Sequence, residues 1–375
     1  MKKLFAFFLA VALIGNLFIS KAKAVDSPPP SVSAESAVLI DLDSRAVLFE
    51  KNMSERLGMA STTKIMTALI AAERAELSDV VRIADEAIGV EGSSIYLSHG
   101  ESLTMEELLF ALLLQSANDA ATAIAIAIAG SVEAFADMMN ERARELGLED
   151  THFTNPHGLY DEEHYTTAYD LAIISAHALE NERIAEIFST YKATLPITSD
   201  SQKRVLVNHN KLLKLYTGAI GVKTGFTKKT GRCLVSAAER DGLTLIAVTL
   251  NAPDDWRDHM SMLDFGFDHF ESVTVAEAGT FNYSLPVTNG VRDSVTLTNA
   301  EALKMTLPKS RDEIQYRVEV THRFEFAPIF KGEELGRVYC SYDGRFRSES
   351  ALVCARDIEK SKERSLISRF IGIFS

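Results

Sequence analysis

The sequence predicts an α+β protein: a mixed helix-and-strand domain over residues 25–270, then a small all-β sandwich domain over residues 271–357. Three patterns carry that prediction. Capped, helix-period runs fill much of residues 60–179, and short strand-like runs follow between Tyr191 and Leu250. From about Glu271, short alternating runs are separated by Gly and Pro turns, as in a β-sandwich. A length of 375 residues accommodates two domains.

Residues 1–24 read as a secretory signal peptide. Lys2-Lys3 is the charged start, Leu4–Ile19 is apolar but for Gly15 and Asn16, and Ala22-Lys23-Ala24 fits a small-x-small cleavage site. The alternative is a membrane anchor, for which the apolar run is short. On either reading the rest of the chain is expected outside the cytoplasm, in the periplasm or on the outer face of the cytoplasmic membrane. Pro28-Pro29-Pro30 marks an extended leader. Ser36–Asp41 and Ala46–Glu50 flank Asp43-Ser44-Arg45 as a hairpin.

Ala60–Glu76 reads as a helix with Ser61 at its N-terminal end, where free N–H groups favour negative charge. Residues 78–100 are mixed, with loops at Gly89, Gly92 and Gly100. Thr104 and Glu107 form a capping-box pattern that opens a helix through Leu114. Ser116 breaks it, and the alanine-rich run Asn118–Ala129 suggests closely packed core helices. A further helix runs over Val132–Leu146 and stops before Gly147. Thr154–Leu159 is a loop, and Thr167 with Asp170 caps a helix to about Leu179. Strands are expected at Tyr191–Ile197, Val205–Asn208, Ala219–Lys223, Arg232–Ala238 and Leu243–Leu250, and a helix at Asp254–Phe267. In the β-rich part, Ser294–Thr298, Tyr316–Val320 and Arg337–Cys340 alternate.

Residues 358–375 place apolar side chains at 366, 367, 370, 371, 373 and 374, with Lys360, Lys362, Arg364 and Arg369 on other faces. This predicts a basic amphipathic helix on the cytoplasmic-membrane surface, too short and charged to span it. A frayed tail, or a helix docked on its own domain, would account for the same pattern. Three cysteines leave at least one unpaired; Cys340 and Cys354 flank an Asp343-Gly344 turn whose register does not set them opposite each other.

The bulk numbers, 46% hydrophobic and 24% charged, suit a globular core. The net charge is −13, and the four lysines of the leader face no acid, so the remainder is more acidic still. Nucleic-acid binding, which depends on phosphate neutralisation, is a poor fit. The nine histidines form no HExxH, and there is no paired-cysteine motif, so neither a metal nor another cofactor is expected.

Three short motifs point to chemistry. Ser61-Thr-Thr-Lys64 puts a hydroxyl and an amine on one helix face. A serine becomes a nucleophile when a base removes its proton, and a neutral lysine can be that base. Ser116-Ala117-Asn118 lies between helices, and Lys223-Thr224-Gly225 at a strand end. Together they predict one site, and the residue types suggest its working. Ser61 attacks a peptide carbonyl; Lys64, neutralised by burial and nearby positive charge, takes the proton. Ser116 relays a proton to the leaving amine, and charged Lys223 binds a terminal carboxylate. Gly225 gives the substrate room at the backbone, and the N–H groups of Ser61 and Phe226 form an oxyanion hole.

The trio resembles that of the serine penicillin-interacting enzymes. Ala46–Ala72, Leu112–Ala121, Asn155–Leu159, Asn208–Leu212 and Gly221–Ala238 look like the low-molecular-mass penicillin-binding proteins that are D-alanyl-D-alanine carboxypeptidases. The resemblance implies a transpeptidase/β-lactamase-like domain, with a five-stranded antiparallel sheet and a helical subdomain. It implies removal of D-alanine from peptidoglycan stem peptides and inhibition by β-lactam antibiotics that acylate Ser61. Carried over by motif, Ser61 is the nucleophile and Lys64 the base. Ser116 and Asn118 are the second motif, and Lys223 holds the carboxylate. Phe226 stands where some members have a polar residue. Arg257 has two readings, a carboxylate-site arginine or a surface residue; His157 reads as structural and Cys233 as core.

Three rival functions share this fold. A β-lactamase would need fast deacylation, and no Glu-x-x-Leu-Asn element lies between Ser116 and Lys223. A D-alanyl endopeptidase would use the same residues on cross-linked peptides. A catalytically silent wall-binding module would keep the fold without the chemistry, and the intact trio argues against it.

Overall fold

The computed structural model describes residues 28–197, 200–311, 314–344 and 346–361. The expected signal peptide and the tail beyond Ser361 lie outside them. The first strands, β1 (Ser36–Asp41) and β2 (Val47–Lys51), form the expected hairpin. Asp41 fastens the turn by accepting from Ser44 N at 2.8 Å. Helix α1 (Lys64–Arg74) follows a short 3-10 turn over Ala60–Thr63. Two small strands, β3 (Val80–Arg82) in the region read as mixed and β4 (Ser102–Thr104) just after it, pair with each other.

The helical layer continues with α2 (Met105–Leu114), α3 (Asn118–Ala129), α4 (Val132–Glu145), α5 (Ala168–Glu180) and α6 (Glu182–Ser189). The capping box forms as its sequence requires: Thr104 Oγ1 accepts from Glu107 N at 3.2 Å, and Glu107 Oε2 accepts from Thr104 N at 2.8 Å. Thr167 Oγ1 likewise accepts from Asp170 N at 3.0 Å. Helix α6 was not anticipated. Its signal is Asn181, whose Oδ1 accepts from Arg183 N and Ile184 N at 3.1 Å each.

A hairpin of β5 (Lys192–Ile197) and β6 (Asp200–Val207) leads through α7 (Leu212–Leu215) to β7 (Ala219–Thr227), β8 (Gly231–Arg240) and β9 (Leu243–Leu250). The central sheet has the antiparallel order β2-β1-β9-β8-β7. Period-2 side-chain alternation divides it. Val38, Ile40, Val235 and Val248 join the core under the helical layer. Ala37, Leu39, Leu234 and Ala247 point into a second core shared with α8 (Asp255–His269) and the C-terminal strands. The sheet is thus covered on both faces, and its edge strand β7 carries the third motif.

The C-terminal strands are all-β, as expected. A pair, β10 (Phe270–Ala276) with β13 (Leu303–Pro308), accompanies a six-stranded sheet in the order β14-β16-β17-β12-β11-β15. These strands are β11 (Tyr283–Thr288), β12 (Ser294–Asn299), β14 (Gln315–Val320), β15 (Glu325–Phe326), β16 (Glu334–Tyr342) and β17 (Phe346–Cys354). Cys340 is opposite Ser348, and Cys233, Cys340 and Cys354 are all buried free thiols.

Candidate active site

Ser61 sits in the 3-10 turn rather than in regular α-helix, because Ala60 before it is in the left-handed region at φ 48°. Side chains brace that turn from below. Thr62 Oγ1 donates to Met59 O at 2.6 Å and Thr63 Oγ1 to Ala60 O at 2.7 Å. His164 supports Thr63: its Nδ1 accepts from Thr154 N at 3.0 Å, so the proton lies on Nε2, 2.7 Å from Thr63 Oγ1. Burial holds the His164 pKa down to about 4, so the ring is neutral.

Two glycines allow the turn to pack so closely. A Cβ on Gly158, at φ +85°, would fall 1.9 Å from Ala60 O. One on Gly225 would fall 3.0 Å from Ser61 N and 3.1 Å from Met59 O. The close approach that requires glycine at 225 is therefore that of the protein's own nucleophile turn. The open space expected there for substrate is filled by main chain.

Lys64, the first residue of α1, is wholly buried. Its Nζ lies 3.1 Å from Ser61 Oγ, 2.7 Å from Asn118 Oδ1 and 2.5 Å from His157 O. The Asn118 orientation is fixed because its Nδ2 donates to Glu91 O at 2.5 Å. Both Asn118 Oδ1 and His157 O can only accept. A neutral amine has two N–H bonds and one lone pair, so once both carbonyls are served the lone pair is directed at Ser61 Oγ. Burial, and next the charge on Lys223, push the Lys64 pKa well below the usual lysine value. The arrangement holds a neutral amine ready to accept the serine proton.

The second motif joins α2 to α3. Ser116 occupies the left-handed region at φ 59° and is almost buried, which turns the chain sharply between two core helices. Among the described residues its hydroxyl makes no hydrogen bond to Ser61, Lys64 or Lys223; its placement is a matter of backbone. Asn118 N donates to Ser93 O at 2.7 Å. Asp119, the next residue, gathers the facing loop, accepting from Ser94 Oγ at 2.6 Å and from Leu97 N at 3.1 Å. It also accepts from Ile95 N at 3.2 Å.

Lys223 lies on β7, paired with Val235 of β8, and is buried with its Nζ donating to Thr224 O at 2.8 Å. Burial lowers its pKa to about 7. The full positive charge expected from sequence is therefore only partly present at neutral pH until an anion arrives. Phe226, paired with Arg232, exposes 62% of its surface at the strand's end. Arg257 is exposed on the first turn of α8.

The structure thus brings Ser61, Lys64 and Asn118 into direct contact, with Lys223 close enough to act on Lys64 by its charge. The sequence alone did not reveal the main-chain partner, His157 O, nor the bracing by Thr67, whose Oγ1 donates to Pro156 O at 2.6 Å. The Asn155–Leu159 segment was the available signal. Asn155 Oδ1 accepts from Gly158 N at 2.7 Å, which shapes the loop around the lysine. Burial, the main cause, lowers the pKa of the His157 ring to about 3.

Known proteins share this fold and much of this sequence. The D-alanyl-D-alanine carboxypeptidase family profile matches residues 21–254, and that of the penicillin-binding protein 5 C-terminal domain matches residues 270–360. The chain is 37% identical over 348 residues to the D-alanyl-D-alanine carboxypeptidase DacF of Bacillus subtilis, covering 90% of this chain and 89% of that one. It is 32% identical to DacA of Haemophilus influenzae, over 88% of this chain and 86% of the other. The crystal structure of penicillin binding protein 5 from Haemophilus influenzae superposes with a TM-score of 0.76 at 30% identity, covering 89% of this chain and 100% of that one. Matches that run through both halves of the molecule, on a fold that assembles all three motifs, establish that the chain belongs to the D-alanyl-D-alanine carboxypeptidase family.

Proposed function

We propose that this protein is a serine-type D-alanyl-D-alanine carboxypeptidase that removes the terminal D-alanine of peptidoglycan stem pentapeptides through a Ser61 acyl-enzyme. The observation that supports it most is Lys64. Its buried amine has two carbonyls for its hydrogens and Ser61 Oγ, 3.1 Å away, for its lone pair. Lys64 takes the Ser61 proton as Oγ attacks the carbonyl of the penultimate D-alanine. The N–H groups of Ser61 and Phe226 receive the developing oxyanion; one such donor typically contributes on the order of 100-fold or more in rate. Gly225, seated against Ser61 N, keeps those two amides near each other.

Lys223 holds the substrate's terminal carboxylate. That anion favours the ammonium form, so binding raises a pKa that stands at about 7 in the empty site. Thr224 lies beside it on the same strand. Ser116 passes a proton to the departing D-alanine amine, and water then releases the acyl group. β-Lactams enter by the same step and acylate Ser61.

The division into a catalytic part, residues 25–270, and a β-rich part, residues 271–357, belongs to this reading. So do export through the leader of residues 1–24 and a peripheral hold on the membrane by the tail expected over 358–375, although its first residues, 358–361, are bonded into the β-rich part with Ile358 buried there. No single helix among the described residues is long and apolar enough to cross a membrane.

The test is release of D-alanine from diacetyl-Lys-D-Ala-D-Ala by residues 25–375. Release that vanishes in Ser61→Ala, together with loss of labelled-penicillin incorporation, is expected. Turnover retained by Ser61→Ala would overturn the assignment.

A further inference from the structure

The end of the β-rich domain from which the tail departs carries an apolar cluster that the catalytic reading does not use. Phe324, Phe326, Phe330 and Val291 expose 47%, 58%, 65% and 59% of their surfaces. Much of the domain's apolar content is packed inward, as Leu285, Leu297, Val338 and Leu352 are. The four residues are neighbours through the main chain. Phe324 and Phe326 meet edge to face at 5.5 Å between centroids. Phe326 is paired with Thr288 of β11. Ile329, next to Phe330, is bridged to Ile358, and Val291 N donates to Glu359 O at 2.9 Å.

The last described residue is bound into the same end. Ser361 N donates to Asn289 O at 2.8 Å, and Gly290 is bridged to Lys360. The described chain therefore ends at Ser361, at the same end of the domain as the phenylalanines. The sequence of residues 362–375 supplies Leu366, Ile367, Phe370, Ile371, Ile373 and Phe374 on one side, with Lys362, Arg364 and Arg369 on others.

The cluster also has charged neighbours. Arg292, Arg323, Lys331 and Lys360 are exposed. Several carboxylates there are occupied by the loops' own donors: Glu325 by His322 at 2.7 Å, Glu333 by Phe330 N at 3.0 Å and Asp357 by Lys331 N at 2.7 Å. What faces outward is aromatic and aliphatic surface rimmed by charges of both signs, Asp293 and Glu359 lying beside Arg292 and Lys360. Exposed aromatic and aliphatic side chains beside a departing amphipathic segment suit a lipid interface, where apolar side chains enter the acyl boundary and the neighbouring cations meet headgroups.

We propose that Phe324, Phe326, Phe330 and Val291 form a second membrane contact, which enters the lipid interface alongside the tail. This inference rests on the membrane-surface reading of residues 358–375. A single weak apolar anchor binds a bilayer only marginally, and two together hold it stably. Attachment at two adjacent points also restricts rotation about the tail, so the catalytic domain is held at a set orientation above the bilayer.

The experiment is sedimentation of residues 25–375 with vesicles of phosphatidylcholine and phosphatidylglycerol. The Phe324→Ser/Phe326→Ser/Phe330→Ser variant and a chain ending at Ser361 are compared with it. The triple variant should bind at least about tenfold more weakly while releasing D-alanine from a soluble peptide at the unaltered rate. A Phe326→Trp, Trp256→Phe chain should show indole emission quenched by brominated lipid. Vesicle binding unchanged by the triple substitution, or no quenching while the chain is bound, overturns the second contact and leaves the tail reading standing. If the chain ending at Ser361 sediments as fully as the longer one, the tail reading fails and the aromatic contact holds. If the triple variant binds more tightly, the cluster is covered by the tail itself, and the proposal fails.

Discussion

Replacing Gly158 by alanine tests whether a loop far from Ser61 in sequence sets the geometry of the nucleophile. Gly158 stands at φ +85°, where a side chain costs about 1–2 kcal/mol. Its new Cβ would lie 1.9 Å from Ala60 O, 2.4 Å from Ala60 C and 2.7 Å from Thr63 Oγ1, against the 3.0 Å that real Cβ atoms respect. Something must therefore move by about 1 Å. If the Ala60 carbonyl gives way, the turn bearing Ser61 shifts. If the loop gives way, His157 O withdraws from Lys64 Nζ, now 2.5 Å away, and the amine no longer aims its lone pair at the hydroxyl. Misplacement of that size typically costs about 100-fold in rate. The assay is the second-order rate of Ser61 acylation by a labelled penicillin, with urea unfolding run in parallel. The variant should be at least about 2 kcal/mol less stable and acylate about 100-fold more slowly. Gly147→Ala is the control: φ is +75°, nothing lies within 4 Å of its added Cβ, and only the backbone cost applies. Acylation of Gly158→Ala at the unaltered rate would refute the argument.

Three other outcomes are expected. With Lys223 titrating at about 7 in the free protein, kcat/KM for carboxylate-bearing substrates should fall as pH rises through that value. Lys223→Arg, whose cation persists, should lose that basic limb, and an unchanged limb would assign it to another group. Asp119→Ala should cost about 2–4 kcal/mol in urea unfolding and depress activity, because the amides of Ile95 and Leu97 lose their acceptor; full activity would show that the facing loop holds without it. Burial lowers the pKa of His157 to about 3, of His164 to about 4 and of His259 to about 3. Since the unfolded chain takes up these protons first, stability should fall as pH drops below about 6.5 toward 4, and a flat urea midpoint over that window would contradict it.

Much of the site was legible because its chemistry is local in sequence. Ser61 and Lys64 are three residues apart, and that spacing keeps hydroxyl and amine on one side of the chain, here across a 3-10 turn that runs into α1, with the two atoms 3.1 Å apart. The caps at Thr104 and Thr167 and the hairpin at Asp41–Val47 likewise depend on residues a few positions apart. Helix α6 escaped notice because Glu182–Ser189 is too short to display a period, and only its Asn181 cap announces it. The reason for glycine at 225 was not legible either. A missing side chain shows that something approaches, and only the packed structure shows that it is the Ser61 turn.

By itself, then, the sequence determined the three motifs, the α+β character with its β-rich second part, and the pairing of nucleophile and base. These rest on spacing, capping and alternation, which act over a few residues. Tertiary structure alone decided that β1 lies between β2 and β9, that Lys64 is wholly buried and that Asn118 and His157 take both its hydrogens. It also decided that Phe324, Phe326 and Phe330 gather where the tail departs. Those features depend on which distant segments exclude water together, and a lysine's protonation state or a phenylalanine's exposure is a property of that packed environment rather than of its neighbours along the chain.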